Sequence, residues 1–357
     1  MKVKMKNVLF VIPFLGKTGA ERVVYNLVNN IDRSKYTPFI VLYAQDDHRN
    51  SLLKELNKNV TVEYLNVRGR ARYNFHRILF GLRSICQKHR IDTLLISDGT
   101  ANAFVSPFLF LFGHKIKKIA RESNLPSLYE KNKIAKVLYS LCYKNYDAII
   151  AQSDDMFNDL TGKMGLPEDK VIKINNPLDL KKIRRDMLLI SEFELPKNKI
   201  NLLTIGRLTY QKGFDILLKA FSSINYNNYH LTIVGNGEDR AKLHALAEQY
   251  SLNNNVTFIE EVDNPYSLMK QADIFISCSR WEGYPNVVIE ALACGIPVLA
   301  NNYPGGIGEI INNGINGIVC DISCQLESAL ESISQLSPVI FDEEPINNIF
   351  RMYEGIY

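Results

Sequence analysis

Short apolar runs rich in β-branched residues alternate with longer amphipathic stretches along most of this 357-residue chain. That alternation confines it to α/β folds built on parallel sheets. In the first half the clearest strand candidates are residues 7–12, 38–43, 93–97 and 147–151, with a further one near 117–120. Helical stretches are predicted near 20–31, 73–90, 101–112, 127–145 and 153–164. The rhythm then restarts with strand candidates at 201–205, 230–234, 256–259, 274–277 and 298–300. Two such runs imply two Rossmann-like domains, residues 1–177 and 178–342. The break near 178–200 follows Asn175-Asn176-Pro177 and carries Lys181, Lys182, Arg184 and Arg185. Ligands of such sheets bind outside the carboxyl ends of the strands, so two facing sheets predict a site in the cleft between domains.

Charge divides the chain as well. Residues 1–177 hold 28 basic and 16 acidic residues (+12), and residues 178–357 hold 14 and 22 (−8). A basic half beside an acidic one points to an anionic partner for the first domain. Lys2, Lys4 and Lys6 precede an apolar stretch, Val8 to Leu15, that is interrupted by Pro13 and runs into Gly16. It reads as a first strand and its loop rather than a secretion signal. No stretch approaches the ~20 apolar residues of a membrane-spanning helix. Six cysteines show neither a C-x-x-C pair nor metal-ligand spacing, which fits reduced thiols in the cytoplasm.

The run from Arg280 to Val298 carries the most chemistry. Glu282 and Glu290 are separated by seven residues. Gly283 and Pro285 set up a tight turn, and a helix is predicted to open at Asn286. Glu282 would stand at the helix entrance and Glu290 about one turn inside it. The N–H groups of Asn286, Val287 and Val288 would then offer a positive helix end to an anion. Carboxylates for hydroxyls beside a phosphate pocket suit a nucleotide sugar. A solvated loop glutamate plus a buried, paired one is the plainer alternative. Trp281 walls a pocket or fills the core, and the sequence does not choose.

Other pieces stand in strand-to-helix loops. Gly19-Ala20-Glu21-Arg22 follows the first strand, and Gly206-Arg207-Leu208 with Lys212-Gly213 opens the second half. Gly235-Asn236-Gly237 follows the next strand, and Pro304-Gly305-Gly306 with Glu309 comes after the glutamate pair. Gly16-Lys17-Thr18 is not a P-loop, because Val11 stands where that motif needs glycine. Arg207 and Lys212 are candidates to neutralise a departing diphosphate, a role a metal would otherwise fill. The chain has no Asp-x-Asp tripeptide, so metal-independent chemistry with no cofactor is expected.

Together these pieces resemble the E-x7-E signature and flanking motifs of family 4 glycosyltransferases, the group 1 family, over nearly the whole chain. The resemblance implies the GT-B architecture, with a last segment of about 343–357 packing back on the first domain. It implies a retaining transferase for a nucleotide-diphosphate sugar, UDP by preference. Glu282 would bind a hydroxyl of the donor sugar and Glu290 the ribose. Gly19, Gly206, Gly235 and Gly237 would let backbone approach the donor. Many relatives place a histidine in the first domain, whereas this chain has Arg121-Glu122-Ser123-Asn124 after the strand near 117–120. Arg121 and Asn124 are therefore candidate donor or acceptor contacts.

Seven basic and no acidic residues fall between Arg68 and Arg90, interleaved with Tyr73, Phe75 and Phe80. With the apolar stretch Phe104–Phe112, this run predicts peripheral docking on an anionic membrane, at its inner face, where the acceptor would be a lipid-linked or lipopolysaccharide glycan. The apolar stretch also reads as a buried helix. Nucleic acid is an unsuitable partner for a chain with an acidic half and no aromatic-basic module. An epimerase on the same fold and a non-catalytic nucleotide-sugar-binding subunit are the competing readings.

Overall fold

A computed structural model describes residues 5–129 and 132–357. Lys2, Lys4 and part of the predicted 127–145 helix thus lie outside the described residues. The chain forms two units: Met1–Leu178 with Glu344–Tyr357, and Asp179–Glu343.

The first unit is built on seven strands: β1 (Lys6–Val11), β2 (Tyr36–Leu42), β3 (Thr61–Tyr64), β4 (Thr93–Ile96), β5 (Lys117–Arg121), β6 (Ala148–Ala151) and β7 (Val171–Lys173). Their spatial order is β3-β2-β1-β4-β5-β6-β7. Every pairing is parallel, with Val8 opposite Pro38 on one side and Thr93 on the other. Leu9, Phe10, Leu94, Leu95, Ile119 and Ile149 are buried because helices cover both faces of such a sheet.

The second unit holds β8 (Ile200–Ile205), β9 (Tyr229–Val234), β10 (Val256–Ile259), β11 (Ile274–Ser277), β12 (Val298–Asn301) and β13 (Gly317–Cys320). The order is β10-β9-β8-β11-β12-β13, again all parallel. The helix Phe214–Ser222 buries Leu217, Leu218 and Phe221 against Leu202, Leu231 and Ile276. The helix Ile322–Ile333 adds Leu326 and Leu330 to that core. Two doubly wound parallel sheets are the architecture that the strand-helix rhythm predicts.

Local chemistry departs from the expected elements in places. The 101–112 stretch divides into an α-helix, Gly99–Val105, and a 3₁₀ segment, Ser106–Phe112. Pro107 lacks the N–H that an α-helix would need there. Within it Val105, Leu109 and Phe112 are buried, and Phe75 stacks on Phe108 at 6.0 Å. The 127–145 stretch is likewise divided, into Pro126–Tyr129 and Lys133–Cys142. Asn132 caps the latter by accepting from the N–H groups of Ile134 and Ala135.

Candidate active site

In the second unit the strand order reverses between β8 and β11, so the crevice of that sheet opens outside their carboxyl ends. The loops that follow them carry Gly206, Arg207, Lys212 and Glu282. Backbone hydrogen bonds join these loops to the β9 loop: Gly206 N–H to Val234 at 2.9 Å, and Leu208 N–H to Asn236 at 2.9 Å. Gly235 has φ +146°, and a Cβ there would overlap the Gly206 carbonyl. Close backbone approach therefore explains the glycine at 235. Arg207 is exposed at the rim.

The segment 210–213 is clamped to 278–282. Arg280 N–H donates to the Gln211 carbonyl at 2.7 Å, while its guanidinium grips both oxygens of Asp215 at 2.9 and 2.8 Å. That guanidinium also lies 3.9 Å from the Tyr210 ring centre. Hydrogen bonding from Arg280 holds the Asp215 carboxyl below its ordinary range. Arg280, the most conspicuous cation of the motif, is thus a strut.

The clamp delivers Lys212 to Glu282. Lys212 Nζ stands 2.5 Å from Glu282 Oε1, which also accepts from Ser279 Oγ at 2.7 Å. Gln211 Nε2 donates to Glu282 Oε2 at 3.3 Å and to the Trp281 carbonyl at 2.9 Å. Glu282 N–H donates to the Pro304 carbonyl at 2.9 Å. Gly305, at φ +121°, packs so closely on the Glu282 carbonyl that a side chain would displace it. Glu282 is 8% exposed and its carboxylate is held by Lys212, Ser279 and Gln211. Gln211 and Ser279 escaped the sequence reading, because only the fold brings 211 beside 282.

Glu290 is buried in the helix Asn286–Ala293, where Tyr266 OH lies 3.5 Å from its Oε1. The helix opens at Asn286, with Pro285 at its cap position. Two of the three N–H groups expected to face an anion, those of Asn286 and Val288, are taken by carbonyls of the turn. Asn286 N–H donates to the Tyr284 carbonyl and Val288 N–H to the Pro285 carbonyl, both at 2.9 Å. The tight turn folds its own carbonyls under the helix start.

The first unit reassigns one candidate outright. Arg121 is 0% exposed, and its guanidinium donates to Ser97 Oγ at 2.9 Å, Asn176 Oδ1 at 2.6 Å and Tyr353 OH at 3.3 Å. It ties β5 to the buried Ser97, Asn176 and Tyr353. Asn124 Oδ1 accepts from the next N–H, Leu125, at 3.0 Å, as a turn residue does. Gly19 is exposed at the start of the helix Gly19–Asn30. The group missed here is Glu122, buried in the loop just after β5. It accepts from Tyr143 OH, from Tyr139 OH at 3.1 Å and from Asn102 Nδ2 at 3.3 Å. Burial pushes this carboxyl up to about 7. The spacing of Tyr139, Tyr143 and Tyr146 was the available signal, since it puts three phenols on one side of a helical stretch.

Two doubly wound parallel sheets, one in each unit, are the GT-B architecture. The sequence pattern of the Glycosyl transferases group 1 matches residues 189–338, and that of Glycosyltransferase Family 4 matches residues 17–182. This chain belongs to the family 4, group 1 glycosyltransferases. It is 27% identical over 360 aligned residues to the GalNAc-alpha-(1->4)-GalNAc-alpha-(1->3)-diNAcBac-PP-undecaprenol alpha-1,4-N-acetyl-D-galactosaminyltransferase of Campylobacter jejuni, covering 96% of this chain and 92% of that protein. The lipopolysaccharide outer core galactosyltransferase WaaB is similar in structure, with TM-score 0.71, 18% identity and 99% of both chains covered. So is Anabaena HepE in complex with UDP-glucose, with TM-score 0.71, 18% identity and coverage of 98% and 95%.

Proposed function

We propose that this glycosyltransferase moves a hexosyl or N-acetylhexosaminyl group, with retention, from a UDP-sugar to a membrane-held glycan in lipopolysaccharide or cell-surface polysaccharide biosynthesis. The observation that carries the donor assignment is the Lys212–Glu282 pair at the switch point: a fixed cation for phosphate touches a fixed carboxylate for hydroxyls. In the donor complex Glu282 accepts from a sugar hydroxyl and Glu290 from the ribose. Lys212 and Arg207 face the diphosphate, and the Gly235–Gly237 loop lies beside the nucleoside. HepE, which shares the fold, holds UDP-glucose, and the Campylobacter relative acts on an undecaprenol-linked glycan. Both support the choice of substrates.

In this reading the bond from the anomeric carbon to the diphosphate oxygen breaks as the acceptor oxygen bonds to the same face. The acceptor proton passes to the departing phosphate. Catalysis consists of positioning and of cationic support for the leaving group, with no metal or cofactor. The work would be done at the inner face of the membrane.

The test is incubation with a panel of nucleotide sugars and a lipid-linked acceptor, with and without EDTA. Acceptor-dependent release of UDP that survives EDTA is expected. Isomerised sugar without an acceptor would make the protein an epimerase, and binding without turnover would make it a carrier subunit. A strict metal requirement would overturn the two-cation role.

A further inference from the structure

Three large apolar side chains on one short helix of the first unit face water. In Lys133–Cys142, Ala135 and Tyr139 point inward, and Tyr139 packs on Tyr143 with ring centres 4.5 Å apart. That contact sets the rotation of the helix about its axis. Ile134, Val137 and Leu141 are consequently left outside, 62%, 53% and 61% exposed. Their i, i+3, i+7 spacing aligns them in one stripe. Lys133, Lys136 and Lys144 run alongside, all exposed, and no Asp or Glu occurs from 132 to 146.

The helices beside it carry exposed aromatic residues as well. This helix packs on Gly99–Val105 and on Ser106–Phe112, and both pack on the helix Ala71–Lys88. Phe110 in Ser106–Phe112 and Phe80 in Ala71–Lys88 are 72% and 62% exposed. The other aromatic residues of the 104–112 stretch are at least partly packed away, so that stretch offers Phe110 rather than an apolar face. A stripe of aliphatic side chains flanked by lysines is the pattern of a helix lying in a lipid interface. Its lysines match phosphate headgroups, and the half of the chain that carries it has a charge of +12.

We infer that the helix Lys133–Cys142 is the element that docks this protein on an anionic bilayer, with Ile134, Val137 and Leu141 entering the acyl boundary and the lysines meeting headgroups. The inference rests on the membrane-held acceptor proposed above and names the surface that meets the lipid. It is tested by sedimentation of the full chain with vesicles of phosphatidylcholine, with and without phosphatidylglycerol, at rising salt. The wild type should sediment with the anionic vesicles only. Changing Ile134, Val137 and Leu141 together to Ser should lower the bound fraction roughly tenfold. Turnover on a short soluble acceptor and the melting temperature should both hold. A second variant, Leu141→Trp, should shift its emission to the blue on adding anionic vesicles. Sedimentation of the triple variant equal to wild type, with no emission shift in Leu141→Trp, would overturn the inference and leave the membrane reading standing. A wild type that ignores every vesicle would sink both. A dimer that becomes monomeric in the triple variant would assign the stripe to a second copy of the chain instead.

Discussion

Glu282 shows how little of a residue's surroundings its neighbours in sequence reveal. Its carboxylate is held by Lys212, Ser279 and Gln211, two of them about seventy positions away. If that grip orients a sugar hydroxyl, Glu282→Gln and Glu290→Gln should each lower turnover at least tenfold, about 1.4 kcal/mol of transition-state stabilisation. Circular dichroism should show both variants folded, and unchanged rates in both would remove the donor assignment. Glu122 makes a different prediction. Its folded value of about 7 lies above the ordinary 4.5, so the folded chain keeps a proton that the unfolded chain has released. The stability tied to that proton is complete below about 4.5 and declines as pH rises through about 7. Denaturant unfolding across this window should therefore favour Glu122→Gln over wild type increasingly with pH, by on the order of 1–3 kcal/mol. A constant difference between the two proteins would mean that Glu122 titrates normally.

At the scale of elements, caps and edges decide what the apolar pattern leaves open. Asn264 caps the helix Pro265–Met269 by accepting from Tyr266 N–H at 3.1 Å and Ser267 N–H at 3.4 Å, and its amide donates to the Asp186 carbonyl at 2.6 Å. Asn264→Ala should lower unfolding free energy by about 1–2 kcal/mol. Because the helix carries Tyr266 against Glu290, nucleotide affinity measured by calorimetry should fall as well. Strands β3, β7 and β13 did not stand out in the sequence, and all three are sheet edges. Thr61–Tyr64 has no buried residue, and Val171–Lys173 and Gly317–Cys320 have one each. An edge strand needs few apolar side chains, so it leaves no apolar run to read. Central strands such as Val8–Val11 and Ile274–Ser277, buried on both faces, were plain.

In the whole molecule the last fourteen residues serve the first unit. Tyr353 is 0% exposed against Arg121, and the Tyr357 ring meets Phe10 and Tyr36 edge-on, each at 5.7 Å between centres. Glu354 accepts from Asp32 N–H at 2.8 Å, and its carbonyl accepts from Tyr36 OH at 2.8 Å. Deleting residues 344–357 should therefore lower the melting temperature markedly, and Tyr353→Ala alone should cost about 3–5 kcal/mol. A truncated chain that melts like wild type would show the packing to be dispensable. By itself the sequence determined the fold class, the two-part rhythm and the family, because strand periodicity and loop glycines are local consequences of backbone geometry. The tertiary structure decided which charges are buried or paired, and with what. Arg121 and Arg280 read as ligand-facing cations or motif residues, yet three-dimensional neighbours bind the first within the core and the second to Asp215. Lys212 and Gln211 meet Glu282 only because β8 and β11 lie side by side. Burial and pairing depend on what arrives from elsewhere in the chain, and that is settled only when the sheets close.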